Sequence, residues 1–338
     1  FISSKMTGDI GTTTEITALL TFLLGAFCYN DEGYKIAPII AIIVTVILAI
    51  KPYIHRFIRK ISEKEMLNTL KFLIIAFVIL PLLPNQFMGP FDVFNPYQIW
   101  LIIVFISAIS YAGYIILKLI GDERGLGLTG IIGGLVSSTA VVTAMAGRVR
   151  ENSFLIKGAV FATVIASSMM FFRVLFEVLI INPELVPQLL FPMLAMGTLG
   201  GLLAAIILMN TTVKHIDADV KLKNPFSLKP AFIFGALFLA ILFISRVADL
   251  YFGSMGIYVA SLLSGVADVD AITISMALQA KTTIPSTTAV IAITIATLSN
   301  TGFKFLIALL VGTWRFAKYM GIIFILIILT GIITITII

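Results

Sequence analysis

The chain has 338 residues, of which 59% are hydrophobic and 12% charged, and its mean hydropathy is +1.10. This balance excludes an ordinary soluble domain, so we predict an all-α, polytopic bundle of transmembrane helices. The formal net charge of +6 does not indicate a nucleic-acid partner, because basic residues gather in the loops of membrane proteins.

Apolar runs between short polar or basic segments predict the helices in chain order. Residues 1–96 hold three N-terminal helices, the third ending at Pro81 and Pro84. The first repeat, residues 97–209, has predicted helices at about 97–120, 125–147, 153–181 and 186–209. A basic loop at 210–230 then leads to the second repeat, residues 231–338, with predicted helices at about 231–251, 256–281, 284–312 and 318–338. The chain begins with Phe1 rather than Met, so we expect native sequence to precede it.

Two carboxylates, Asp268 and Asp270, lie in a stretch (264–277) that is otherwise apolar enough for a bilayer. A charged side chain at the centre of a membrane helix costs about 2.5–3.5 kcal/mol on insertion scales. Such groups usually face a cavity, an ion path or a charged partner, so this stretch is the first candidate site.

An earlier stretch, residues 133–146, repeats the pattern of residues 264–277. Gly134 matches Gly265 at an offset of 131 residues (265 − 134). The same offset pairs Ser137 with Asp268, Thr139 with Asp270, and Arg173 with Lys304. Because the register persists over about forty residues, we favour an internal duplication, as in many transporters, over a chance likeness of two small-residue helices.

Each of these two stretches either crosses the membrane or enters and leaves it on one face. Full crossing would place Arg148, Arg150 and Lys157 opposite the basic loop at 51–64 and nearly remove the positive-inside bias. If both stretches are re-entrant, the basic segments share one face, which we assign to the cytoplasm: 51–64, 118–124, 148–157, 214–229 and 315–318. We therefore favour broken or re-entrant helices, which also makes the repeats inverted.

On a continuous helix Asp268 and Asp270 would point about 200° apart, so they can share a cavity only where the backbone is irregular. Ser264-Gly265 can supply such a break, with Asp268 capping a half-helix that begins near Val269. Hydroxyls at the equivalent break and an amide on a later helix would complete an oxygen site for a hard cation: Ser137, Ser138, Thr139 and Asn300. The alternative is a structural ion pair between Asp270 and an intramembrane base, Arg173 or Lys304.

Enzyme signatures are not visible. There is no phosphate-binding loop and no HExxH motif, and the two histidines, His55 and His215, lie in basic loops. The single cysteine, Cys28, excludes an intrachain disulfide and a cysteine-built metal site. We expect no catalysis and no cofactor, apart from a bound mono- or divalent cation.

Several boxes spread over nearly the whole chain match a known family. They include Gly11-Thr12-Thr13-Thr14-Glu15, Gly133-Gly134-Leu135-Val136-Ser137-Ser138-Thr139-Ala140 and Ser264-Gly265-Val266-Ala267-Asp268-Val269-Asp270-Ala271. By these boxes the chain resembles the MgtC/SapB family of bacterial and archaeal membrane proteins, in the branch with the C-terminal domain of unknown function DUF4010. The resemblance makes residues 1–60 the tail of an MgtC-like portion. It also implies a prokaryotic cell membrane and a link to magnesium homeostasis.

The sequence therefore predicts a membrane transporter or channel for a cation, with Asp268 and Asp270 as ligands at mid-membrane. A non-transporting regulator of another membrane protein is the first alternative, and an anion or small-molecule carrier using Arg173 and Lys304 is the second. The expected partners are the lipid bilayer and an inorganic cation, with self-association left open and no nucleic acid.

Overall fold

The computed structural model describes residues 13–29, 33–58, 63–89, 94–120, 126–209 and 228–337. These residues are helical almost throughout, and the one extended pairing among them is an isolated bridge between Met88 and Phe94. Seven stretches of this part of the chain are long and apolar enough to cross a membrane. The predicted all-α, polytopic fold is therefore confirmed.

The chain divides into two compact units, residues 1–62 and 63–338. In the first unit, α1 (Thr13–Phe27) and α2 (Gly33–Ile58) form a pair of apolar helices. The second unit begins with α3 (Glu63–Ile74), which tightens through a π-helical turn and ends in a 3₁₀ turn at Leu80–Leu82, where Pro81 lies. The predicted basic loop at 51–64 falls partly outside the described residues, at 59–62.

Eight further helices form the rest of the second unit. They are α4 (Pro96–Ile120), α5 (Leu126–Glu151), α6 (Ile156–Ile181), α7 (Val186–Met209), α8 (Leu228–Ala267), α9 (Val269–Gln279), α10 (Ser286–Val311) and α11 (Trp314–Ile337). Most of the predicted inter-repeat loop, 210–227, lies outside the described residues. The order of elements recurs at an offset close to 131 residues, which supports the predicted repeats of 97–209 and 231–338.

Two helices are interrupted by an extended residue at equivalent repeat positions. Ser137 (φ −166°, ψ 103°) divides α5 into α5a, residues 126–136, and α5b, residues 138–151. Asp268 (φ −160°, ψ 120°) separates the last part of α8 from α9. Helical ridges therefore stop and restart at the two places where the sequence pairs Ser137 with Asp268.

At Ser137 the chain folds back on itself. A methyl group on Gly133 would lie 2.8 Å from Val141 Cγ2, although residues eight apart in a straight helix are separated by about 12 Å. Along α5a, Gly127 faces Phe161 and Gly134 faces Ala166, so α5a runs parallel to α6. Because α5b joins α6 through the short turn at 152–155, it runs antiparallel to α6, and α5 is a helical hairpin.

The second hairpin follows the same plan. Gly253 (φ 58°, ψ −147°), a conformation that favours glycine, turns α8 sharply and separates residues 228–252 (α8a) from residues 254–267 (α8b). α8b runs parallel to α10, because Ser254 Oγ lies 3.2 Å from Thr288 Oγ1 and Ser299 Oγ donates to the Leu262 carbonyl at 2.6 Å. α9 leads into α10 through the turn at 280–285 and therefore runs back against α8b.

The two hairpins open on opposite faces of the bundle. A methyl group on Gly312, at the end of α10, would lie 3.5 Å from Ala146 Cβ of α5b, close to the start of α6. At the other face, Asn182, which follows α6, donates its side-chain amide to the Ala277 carbonyl near the end of α9, 3.1 Å away. α6 and α10 are thus antiparallel, and the repeats have the inverted arrangement that the charge pattern favours.

A cysteine-accessibility map tests this topology. In a Cys28→Ser background, we expect cysteines at positions 126 and 153 to react with a membrane-impermeant maleimide from the same face. A cysteine at position 281 should react from the opposite face. Labelling of positions 126 and 153 from different faces would show that α5 crosses the membrane and would contradict the hairpin.

The second hairpin depends on close backbone approach at Gly265. A methyl group there would lie 2.4 Å from the carbonyl oxygen of Ala296 and 2.8 Å from its Cα on α10, and neither backbone atom can move aside cheaply. We expect Gly265→Ala to lower the free energy of unfolding by about 1–3 kcal/mol, the usual cost of overpacking. Gly302→Ala, on α10 with nothing within 4 Å, is the matched control and should be neutral or slightly stabilising in a thermal unfolding assay.

Candidate functional site

Each break is followed by a half-helix that its own extended residue caps. Asp268 Oδ1 accepts from the backbone N–H groups of Asp270 and Ala271, both at 2.9 Å. In the first repeat, Ser137 Oγ accepts from the Ala140 N–H at 3.2 Å. Side-chain oxygens in this position satisfy N–H groups that a helix start leaves without partners, so the predicted capping role of Asp268 is confirmed.

Asp270 is engaged by Arg173, from α6. Nη2 of the guanidinium contacts both carboxylate oxygens, and both side chains belong to residues that are only 8% exposed. Nη1 donates to the carbonyls of Leu135 and Val136 at the end of α5a, 3.1 and 3.4 Å away. The ion pair left open by the sequence is therefore formed with Arg173, and it ties the first break to the second.

Glu177 lies one helical turn after Arg173 and is fully buried. Its Oε1 is 3.5 Å from Arg173 Nε, but neither carboxylate oxygen has a hydrogen-bond partner within the described part of the chain, and neither does Nε. Sequence reasoning did not single out this residue. Its signal was nevertheless present, as one carboxylate in an apolar 26-residue helix, four positions after an arginine.

A cavity of about 250 Å³ lies between the two breaks. It is lined by seven of the eight residues proposed from the sequence: Ser137, Ser138, Thr139, Arg173, Asp268, Asp270 and Asn300. Two further hydroxyls, those of Ser107 and Ser110 on α4, line it as well and were not foreseen. The inverted hairpins thus bring together groups that are up to 163 residues apart in the chain (300 − 137).

Lys304 is the proposed residue that does not line this cavity. It is completely buried, and its Nζ lies 3.0 Å from the sulfur of Met170 on α6. The interpretation of Arg173 and Lys304 as equivalent counter-charges therefore holds for Arg173 alone. A thioether is a weak acceptor, so the repeat has kept the basic position without keeping its carboxylate partner.

Two oxygen atoms at this cavity have no protein donor. Within the described residues, no group donates to the second carboxylate oxygen of Asp268, Oδ2, and this side chain is only half-buried. Asn300 donates through Nδ2 to the Gly265 carbonyl at 2.9 Å, which leaves its buried Oδ1 without a partner. Buried acceptors are almost always paired, so these two are the groups that a positively charged ligand would satisfy.

The donor set favours weak coordination. Among the residues that the structure describes, no group of three or more His, Cys, Asp or Glu side chains is placed to hold a metal ion. A cation in this cavity would instead meet one free carboxylate oxygen, an amide oxygen, hydroxyls and water. Such a mixture of oxygen ligands suits a hard cation that is bound and released repeatedly rather than held permanently.

Comparison with known proteins places the chain in a family. Residues 104–312, from within α4 to the end of α10, match the family described as "Domain of unknown function (DUF4010)". The chain is also 36% identical over 194 residues to an uncharacterized protein of Aquifex aeolicus (strain VF5), an alignment covering 57% of this chain and 84% of that relative. No solved structure matches the chain significantly. The matched segment contains both hairpins and every residue of the candidate site, and the chain therefore belongs to the DUF4010 family.

Proposed function

We propose that this protein is a membrane transporter or channel for a small inorganic cation, which binds in the cavity between the two hairpins. The observation that carries the proposal is the pair of unpartnered oxygens, Asp268 Oδ2 and Asn300 Oδ1, at a polar cavity inside an apolar bundle. Ser137, Ser138 and Thr139 supply neutral oxygens from the other hairpin. Asp270 contributes charge, but its oxygens are shared with Arg173.

The charge of the cavity supports a cation over an anion. Two carboxylates and one guanidinium line it, which leaves one net negative charge. Lys304 lies away from it. The positive ends of the half-helices, which often attract anions, are occupied here by the caps from Ser137 and Asp268.

The inverted hairpins support transport over regulation. Half-helices that meet near the middle of an inverted repeat form the ion sites of many secondary transporters. A regulator that uses its aspartates only for structure would have no need of a solvent-sized space beside them. The cavity of about 250 Å³ therefore favours conduction or carriage of an ion.

The setting of the protein is part of the same proposal. Basic side chains gather where α5b, α6 and α11 meet one face: Arg148, Arg150, Lys157, Arg315 and Lys318. By the positive-inside rule we assign this face to the cytoplasm. The relative from Aquifex aeolicus supports a prokaryotic cell membrane, and the MgtC/SapB resemblance adds Mg²⁺ to the cations worth testing.

Uptake into proteoliposomes tests the proposal. The purified full chain is reconstituted, and entry of Na⁺, K⁺, Mg²⁺ and Ca²⁺ is measured beside chloride and phosphate, with protein-free vesicles as background. We expect uptake of at least one cation above background and none of either anion. Anion uptake alone would favour the carrier based on Arg173, and no uptake of any ion would favour the regulator.

A further inference from the structure

Two groups that could form a hydrogen bond face each other at the candidate site without making it. Arg173 Nε and Glu177 Oε1 are 3.5 Å apart, and both atoms are buried without hydrogen-bond partners in the described part of the chain. The far edge of the same guanidinium is meanwhile fully engaged with Asp270 and with the Leu135 carbonyl. One arginine thus lies between two buried carboxylates and serves only one of them well.

This arrangement has a ready alternative. Glu177 is completely buried, and a buried carboxylate without donors is strongly unfavourable unless a positive charge comes closer. A small movement of the guanidinium toward Glu177 would complete the Nε–H bond and loosen the contact of Nη2 with Asp270. In the present arrangement, nothing replaces Arg173 at Asp270 if it moves.

We propose that Glu177 is a positioning residue that receives Arg173 when a cation enters the site, so that Arg173 and the transported cation compete for Asp270. In the empty site the guanidinium acts as a tethered cation on Asp270. An entering cation bound to Asp268, Asn300 and Asp270 takes over that role, and Arg173 moves to Glu177. This inference rests on the proposed function, because it describes how the same site exchanges its internal cation for an external one.

The concentration dependence of uptake tests the exchange. In Glu177→Gln the displaced guanidinium has no carboxylate to receive it, so the cation must displace Arg173 at greater cost. We expect the half-saturating cation concentration to rise by about tenfold, with a smaller effect on maximal rate, because fewer molecules can reach the competent arrangement. Glu177→Asp, which keeps the carboxylate, should restore most of the affinity. Glu184→Gln, an exposed carboxylate in the turn after α6, is the matched control.

The outcomes separate this inference from the proposed function. If wild-type protein takes up none of Na⁺, K⁺, Mg²⁺ or Ca²⁺, both are overturned. If Glu177→Gln has wild-type half-saturation, or if Glu177→Asp is equally impaired, the positioning role is overturned while transport stands. Should Glu177→Gln fail to fold, ¹⁵N NMR of the wild-type arginine side chains decides instead. Saturating cation should then shift the Arg173 Nε–H resonance, assigned by its loss in Arg173→Lys, and an unchanged resonance would overturn the inference.

Discussion

Asp270→Asn is expected to reduce cation uptake to the level of protein-free vesicles. The substitution preserves shape but removes the charge that holds both Arg173 and, in our account, the entering cation. We also expect the free energy of unfolding to fall by about 1–3 kcal/mol, the cost of removing one partner from a buried hydrogen-bonded group. The larger loss of about 3–5 kcal/mol for an uncompensated buried charge should not appear, because Glu177 remains 3.5 Å from the guanidinium.

Two further variants make this prediction specific. Asp249→Asn removes the partner of Arg246, a pair with 3.1 Å between its atoms and side chains 20% exposed, at the end of α8a. This control should lose little stability and should transport normally. The double variant Asp270→Asn with Glu177→Gln leaves Arg173 without any carboxylate and should be destabilised by more than the sum of the single changes. Wild-type uptake by Asp270→Asn would remove this residue from the transport site.

Asp268 should separate two roles that one side chain performs. Asparagine caps helices about as well as aspartate, so Asp268→Asn should keep its stability but lose cation uptake. Asp268→Ala should lose uptake and in addition about 0.5–2 kcal/mol of unfolding free energy, because the N–H groups of Asp270 and Ala271 lose their acceptor. Thermal unfolding and uptake, measured on the same preparations, give both quantities.

Asn152→Ala is the matched control for the cap. Asn152 Oδ1 accepts from the Phe154 N–H at 3.0 Å, in the turn between α5b and α6, away from the cavity. Its loss should cost stability without changing uptake. If Asp268→Asn transports like wild type, Asp268 is a structural cap and nothing more.

The fold could be predicted because its main determinants are local or periodic. Apolar runs of bilayer length indicate membrane helices, and the Gly-rich stretches around Gly134 and Gly265 mark the places where backbones approach closely. The offset of 131 residues carried the most information, since it predicted equivalent breaks at Ser137 and Asp268. Loop charge then favoured hairpins over full crossings, and the structure folds both stretches back.

The site was only partly predictable because its decisive contacts are long-range. Arg173 and Asp270 are 97 residues apart, and the sequence gave no reason to prefer this pair over one with Lys304. The repeat even suggested equivalent roles for Arg173 and Lys304, but they differ because only Arg173 reaches the hairpin of the other repeat. Glu177 was overlooked because its importance comes from the guanidinium beside it, not from a motif.

The central claim is that the cavity between the two hairpins binds the transported cation, and side-by-side uptake tests it most directly. Wild type, Asp268→Asn and Asn152→Ala are reconstituted at equal density, and entry of Na⁺, K⁺, Mg²⁺ and Ca²⁺ is followed in each. We predict that wild type and Asn152→Ala take up the same cation at similar rates, while Asp268→Asn, equally well folded, takes up none. Equal uptake by all three proteins, or by none of them, would contradict the claim.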